Sequence, residues 1–193
     1  HWKTFPFDFL RIQIGFAFYG ISIALMIKSN LGTGAWAVLD VALSKIVGLS
    51  VGRMTMLSGF VVLTIALAMR EQIGWGTLGN MIFIGLWLDF VIPLIPSVEG
   101  NLLIQAAMLL GAVLLMGNAS AIYIGVDAGA GPRDSLMLAL HRVTGISVRV
   151  ARSSIELTVI LVGWLLGGPA GIGTAVFALL IGPAVQWAFK IWK

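Results

Sequence analysis

Six apolar runs follow one another along the chain: Phe9 to Ile27, Met54 to Met69, Leu78 to Ile95, Leu102 to Ile124, Ile155 to Leu166 with its flanks, and Ala175 to Ile191. A helix needs roughly 20 such residues to cross a hydrocarbon core of about 30 Å, whereas a barrel strand needs only about ten. Lipid offers no hydrogen bonds, so each crossing segment has to satisfy its own backbone, and runs of this length do so as helices. Charged residues make up 10% of the chain, against roughly 25% in a soluble domain. These features predict an all-α polytopic membrane protein whose first partner is the lipid bilayer. The net charge of +4 comes from Lys and Arg spread thinly beside apolar segments, a pattern that orients a membrane protein and does not bind nucleic acid. No cysteine is present, which excludes disulfides and thiolate metal sites. The first run lacks a small-residue cleavage site and is expected to be a retained span.

The chain also resembles itself. At an offset of 97 residues, Gly20, Gly32, Gly34, Gly48, Gly74, Gly76 and Gly85 fall on Gly117, Gly129, Gly131, Gly145, Gly171, Gly173 and Gly182. Chance would align roughly one or two glycines, so residues 11–96 and 108–193 are expected to be two copies of one unit of about 86 residues within a single membrane domain. Each copy reads as a span, a Gly-x-Gly break, a short helix, a Gly-x-Ser break, a span, a Gly-x-Gly-Thr break and a last span. The short helices, Ala35 to Val47 and Pro132 to Thr144, would be about 20 Å long at 1.5 Å per residue, too short to cross alone. If they re-enter, each copy has three spans and the copies are inverted; if they cross, each copy has four and the copies are parallel, giving six to eight spans in all. In the four-span arrangement every Lys and Arg except Lys28, Arg70 and Arg133 is cytoplasmic; in the three-span arrangement every one except Lys28, Lys45 and Arg53 is. Both arrangements place both termini in the cytoplasm. Asp40, Lys45, Asp134, His141 and Arg142 on the short segments favour three spans plus a re-entrant helix.

Breaks inside a membrane leave helix N–H groups without partners. Ser50, Ser147, Thr77 and Thr174 stand where caps are needed. Of the two Gly-x-Gly breaks before the short helices, at Gly32 and Gly34 and at Gly129 and Gly131, the second has no Ser or Thr at the corresponding place. In the second, Pro132 opens the helix and Asp134 meets its positive end. Exposed N–H groups together with Arg133 would bind a small anion or a carboxylate, unless Arg133 pairs with an acid. Trp36 and Asp40 lie beside the first break. Asp89 and Gln186 are matched polar positions within the last spans and are candidates for a substrate path between the copies. Arg152 and Glu156, spaced i, i+4, form a pair that with Arg149 would line or gate a pathway.

The segments "LGTGAWAVLD", "GLSVGR", "IGWGTLGN", "AGAGPRDSLMLALHRVTGISV", "IELTVILVGWLLGG" and "GIGTAVFALLIGPAVQ" resemble the YczE/YitT-type family of bacterial integral membrane proteins, nearest its YczE branch, over essentially the whole chain. The family's Pro-Trp-Asp after the first Gly-x-Gly stands here as Ala35-Trp36-Ala37, and as Pro132-Arg133-Asp134 in the second copy. A function carried by that aspartate would fall to Asp134, or to Asp40 one turn on in the first copy. The resemblance implies a bacterial inner-membrane protein and leaves the substrate open. No nucleotide, hydrolase or metal motif is found, so neither an enzyme nor a cofactor is expected. The leading expectation is a small transporter or permease for a small, anionic solute or ion, with its path between the copies. The rival is a non-transporting accessory, assembly, signalling or lipid-binding module that works with another membrane protein or a second copy.

Overall fold

The computed structural model describes residues 5–126, 129 and 131–192, so that Lys3 and Lys193, both counted in the orientation above, lie outside the described residues. Eight α-helices form: α1 (Phe5–Ser29), α2 (Ala35–Val47), α3 (Val51–Ala68), α4 (Trp75–Val91), α5 (Leu102–Ile124), α6 (Pro132–Thr144), α7 (Val148–Leu165) and α8 (Ile172–Ile191). The short helices begin and end at the breaks that predicted them. Gly48 and Gly145 close them in left-handed conformations (φ 76° and 74°), which glycine adopts without steric cost. Ser50 accepts the Arg53 N–H and caps α3, and Ser147 accepts the Val150 N–H and caps α7. Thr77 and Thr174 act one turn later, their hydroxyls accepting the N–H of Gly74 and Gly171.

Among the described residues, five helices are long and apolar enough to cross a membrane: Pro6–Ser29, Val51–Ala68, Trp75–Leu94, Leu102–Ile124 and Ile172–Ile191. α7 has the 18 residues of α3 but carries Arg149, Arg152 and Glu156 in its first half, so the sixth expected span is not among them.

The core is built on α1 and α5, which pack on one another, while α4 covers α1 and α8 covers α5. Glycines set these contacts, because a backbone without Cβ lets another helix approach closely. A Cβ on Gly20 would stand 2.9 Å from the Leu88 nitrogen, and one on Gly117 would stand 2.8 Å from the Ala184 carbonyl carbon. The Ser22 hydroxyl donates to the Ala112 carbonyl at 2.6 Å and ties α1 to α5. Phe16, Ile12, Met26 and Leu88 fill the space around this seam.

α2 packs on α7, and α6 packs on α3. Arg142, near the end of α6, donates to the Met69 carbonyl at 2.6 Å and to Glu71 at 2.9 Å. The end of α6, and therefore the start of α7, lies beside the end of α3. α3 is about 27 Å long at 1.5 Å per residue, so Ser50 at its start and Ser147 at the start of α7 stand at opposite ends of the bundle.

Two corresponding seams differ. Between α3 and α4, Gly52 and Gly85 face each other so closely that a Cβ on either would overlap the other's carbonyl oxygen. Asp89 latches this seam, accepting the Ser50 hydroxyl at 2.5 Å and the Gly52 N–H at 2.7 Å. At the same offset the second seam carries Ser147, Arg149, Gly182 and Gln186. α7 and α8 are not packed along one another, and a Cβ on Gly182 would meet nothing within 4 Å.

Candidate functional site

The starts of the two short helices border one cavity of about 190 Å³. Their breaks are laid across each other. Gly32 (φ +118°) presses on Gly171 and Thr174, and Gly129 (φ +116°) presses on Gly74 and Thr77, so the break before α2 rests on the break before α8, and the break before α6 on the break before α4. The Gly173 N–H donating to the Leu31 carbonyl at 2.7 Å and the Thr33 N–H donating to the Pro169 carbonyl at 3.2 Å fasten one such crossing. Neither Gly32 nor Gly129 lines the cavity; their close backbone contacts and positive φ give them a packing role in which side chains are excluded. Gly34 and Gly131 do line it, the first against Phe177 and the second against Asn80.

Arg133 projects from the first turn of α6 into this space. Its Nη2 donates to Asp40 Oδ2 at 2.8 Å, and its guanidinium carbon sits 4.9 Å from the centre of the Trp36 ring. Asp40 is 1% exposed and also accepts the hydroxyls of Thr55 at 2.9 Å and Ser58 at 2.6 Å. A carboxylate this buried is tolerable only with such partners. The free anion site expected at Arg133 is therefore not what the geometry offers: the positive charge is met by Asp40, and a solute anion would have to displace or share it.

Asp134 follows Arg133 and accepts the Tyr123 hydroxyl at 3.2 Å. Across the cavity Arg152 Nε donates to Glu156 Oε1 at 2.9 Å, which is the i, i+4 pair read from the sequence. Trp36, Arg133, Asp134, Arg152 and Glu156 thus share one cavity. Asp89 and Gln186 do not join them: Asp89 closes the α3–α4 seam and Gln186 is exposed on α8. Arg149 is exposed at the start of α7. Asp40 acts from beneath, through Arg133.

Tyr19 and Tyr123, the cavity's hydroxyl-bearing aromatic residues, were missed in the sequence. They are the chain's only tyrosines, and each stands inside a long apolar span, where a polar tip is a usable signal. Their rings meet edge to face at 6.4 Å. The cavity wall is broken where α7 and α8 separate: Arg152, Ile155 and Glu156 stand on one side of the gap and Phe177, Ile181 and Val185 on the other. The Arg152 side chain is 52% exposed there.

An all-helical chain with membrane-length apolar helices around a charged internal cavity is a helical membrane protein. More particularly, residues 8–190 match a family of unknown function, DUF6198, and the chain belongs to that family. It is similar to an uncharacterized protein of Haemophilus influenzae, 34% identical over 172 residues, which cover 89% of this chain and 78% of that one. It is likewise similar to the uncharacterized membrane protein YczE of Bacillus subtilis, 33% identical over 174 residues (88% and 79%), and to the Bacillus subtilis protein YyaS, 29% identical over 180 residues (90% and 88%). No solved structure matches.

Proposed function

We propose that the protein is a bacterial inner-membrane permease built from two inverted copies of one unit, residues 11–96 and 108–193. It admits a small solute to the central cavity alternately from the two sides. The observation that carries this reading is the cavity at the crossing of the two copies, shut along α3–α4 and open along α7–α8. Equivalent elements in unequal states are what alternating access by inverted repeats requires. Helix boundaries support the repeat: α2 and α6, and α3 and α7, begin 97 residues apart with equal lengths. Opposite placement of Ser50 and Ser147 supports the inversion. With Arg142, Arg149, Arg152 and Lys190 at the open end, the positive-inside rule sets that end in the cytoplasm together with both termini. α7 then serves as a sixth crossing helix, its charged first half facing the cavity and its mouth. The cavity is smaller than the roughly 300–1,000 Å³ of sites for drug-sized ligands, which fits a small solute.

The test exploits a chain with no cysteine. A Cβ on Gly59 would lie 3.7 Å from the Met81 Cβ, a disulfide distance, so Gly59→Cys with Met81→Cys reports the α3–α4 seam closed. The corresponding pair, Glu156→Cys with Ala178→Cys, reports closure of α7–α8. In proteoliposomes each pair should cross-link alone, the four-cysteine protein should form one bridge or the other but not both, and Ser50→Cys and Ser147→Cys should label from opposite sides. A second pair that never bridges, both bridges together, or both serines labelled from the cytoplasm would overturn the reading.

A further inference from the structure

The charges bordering the cavity are matched two by two, with one left over. Arg133 is bound to Asp40, and Arg152 to Glu156. Asp134 has no ion-pair partner among the described residues; it receives only the Tyr123 hydroxyl, on Oδ2. Arg152 and Arg133 act on it from a distance, but each is already held by another carboxylate. A carboxylate at membrane depth is costly unless paired.

The ordinary explanation for an acid in the first turn of a helix is that it caps that helix. Here, among the described residues, the Asp134 carboxylate makes no hydrogen bond to the N–H groups of α6; it reaches Tyr123 on α5 and borders the cavity. Its counterpart in the first copy is Ala37, so the shared fold does not require an acid at this place. The rings of Tyr19 and Tyr123 stand beside it, and aromatic faces attract cations.

We propose that the cavity receives a solute bearing an ammonium group and that Asp134 is its counter-ion. This rests on the permease reading for the role of the cavity, and it replaces the anionic solute expected from the sequence. The start of α2 at Gly34 has no side-chain cap, so its N–H groups remain for an acceptor on the same molecule. Their positive end, roughly half a charge spread over several groups, does not neutralise Asp134 as a contacting cation does. Small amines, and amino-acid-like zwitterions among them, are the class.

Two measurements on the purified full chain test it. In the first, methylammonium chloride and glycine raise the thermal unfolding midpoint above that in sodium chloride, sodium acetate does not, and Asp134→Asn removes the response. Without ligand, Asp134→Asn unfolds at the same or a higher temperature, and Asp134→Glu keeps part of the response. In the second, which needs no variant, a hydrophobic carbodiimide modifies Asp134 in the native protein, and methylammonium but not acetate protects it. Acetate outperforming methylammonium, or Asp134→Asn lowering the midpoint while still responding to methylammonium, would overturn the proposal. Both readouts report binding, so seams that never exchange would refute the permease while leaving this site standing. Exchanging seams with acetate protection would do the reverse.

Discussion

Substituting Asp89 by alanine should shift the balance between the two seams without touching the cavity. In the structure its carboxylate accepts the Ser50 hydroxyl at 2.5 Å and the Gly52 N–H at 2.7 Å, joining the start of α3 to the end of α4. Hydrogen bonds to a charged group contribute about 1.5–3 kcal/mol each. The site is near a helix end and half-buried, so solvent replaces part of what is lost, and about 2–4 kcal/mol is a reasonable sum for the latch. The latch exists only while α3–α4 is closed, so its loss should favour the opened seam by roughly thirtyfold to a thousandfold, at 1.4 kcal/mol per tenfold. The assay is the rate of disulfide formation in Gly59→Cys with Met81→Cys, with and without Asp89→Ala, beside the same comparison for Glu156→Cys with Ala178→Cys. The first rate should fall and the second rise. Equal rates in both backgrounds would refute the latch, and a fall in both would show general unfolding instead of exchange. Asp89→Asn, which keeps the shape and one acceptor, should fall between.

Arg133→Ala leaves Asp40 buried with two hydroxyls and no cation, and should cost about 3–5 kcal/mol of stability, read as a lower unfolding midpoint in detergent. Adding Asp40→Asn should recover much of it. Ser147→Ala removes a cap worth about 1 kcal/mol, whereas Ser50→Ala also strips a donor from Asp89; chemical denaturation should find the second clearly worse. Gly20→Ala puts a Cβ 2.9 Å from the Leu88 nitrogen and should destabilise by about 1–3 kcal/mol through overpacking. Gly182→Ala meets open space in this state and should leave the unfolding midpoint unchanged, yet slow the Glu156→Cys with Ala178→Cys bridge, because closure of α7–α8 brings that position against its neighbour.

Much of the architecture was legible because it is written in local chemistry. Glycine pairs, Gly-x-Ser and Gly-x-Gly-Thr breaks and their caps are short-range features, so the 13-residue helices could be bounded from residues alone. The Arg152–Glu156 pair is legible for the same reason, since i, i+4 spacing on one helix is a contact. The Arg133–Asp40 pair is not: 93 residues separate the partners, and only the tertiary fold brings their side chains within 2.8 Å. Asp89 and Gln186 show the opposite failure. Matched positions in sequence suggested matched roles, but Asp89 has Ser50 and Gly52 as neighbours and forms a latch, whereas Gln186, 97 residues on, is an exposed side chain, and Arg149 stands 97 residues after Gly52.

The amino-acid sequence by itself determined that this chain enters a membrane as helices, where those helices break, and which residues cap them, because lipid forces every backbone group to be satisfied locally. Tertiary structure alone decided which charges cancel, which seam is closed and which carboxylate is left facing the cavity. Ion pairing and helix packing depend on distances across the bundle, and glycines that read alike in sequence part company once one faces another backbone and the other faces a gap.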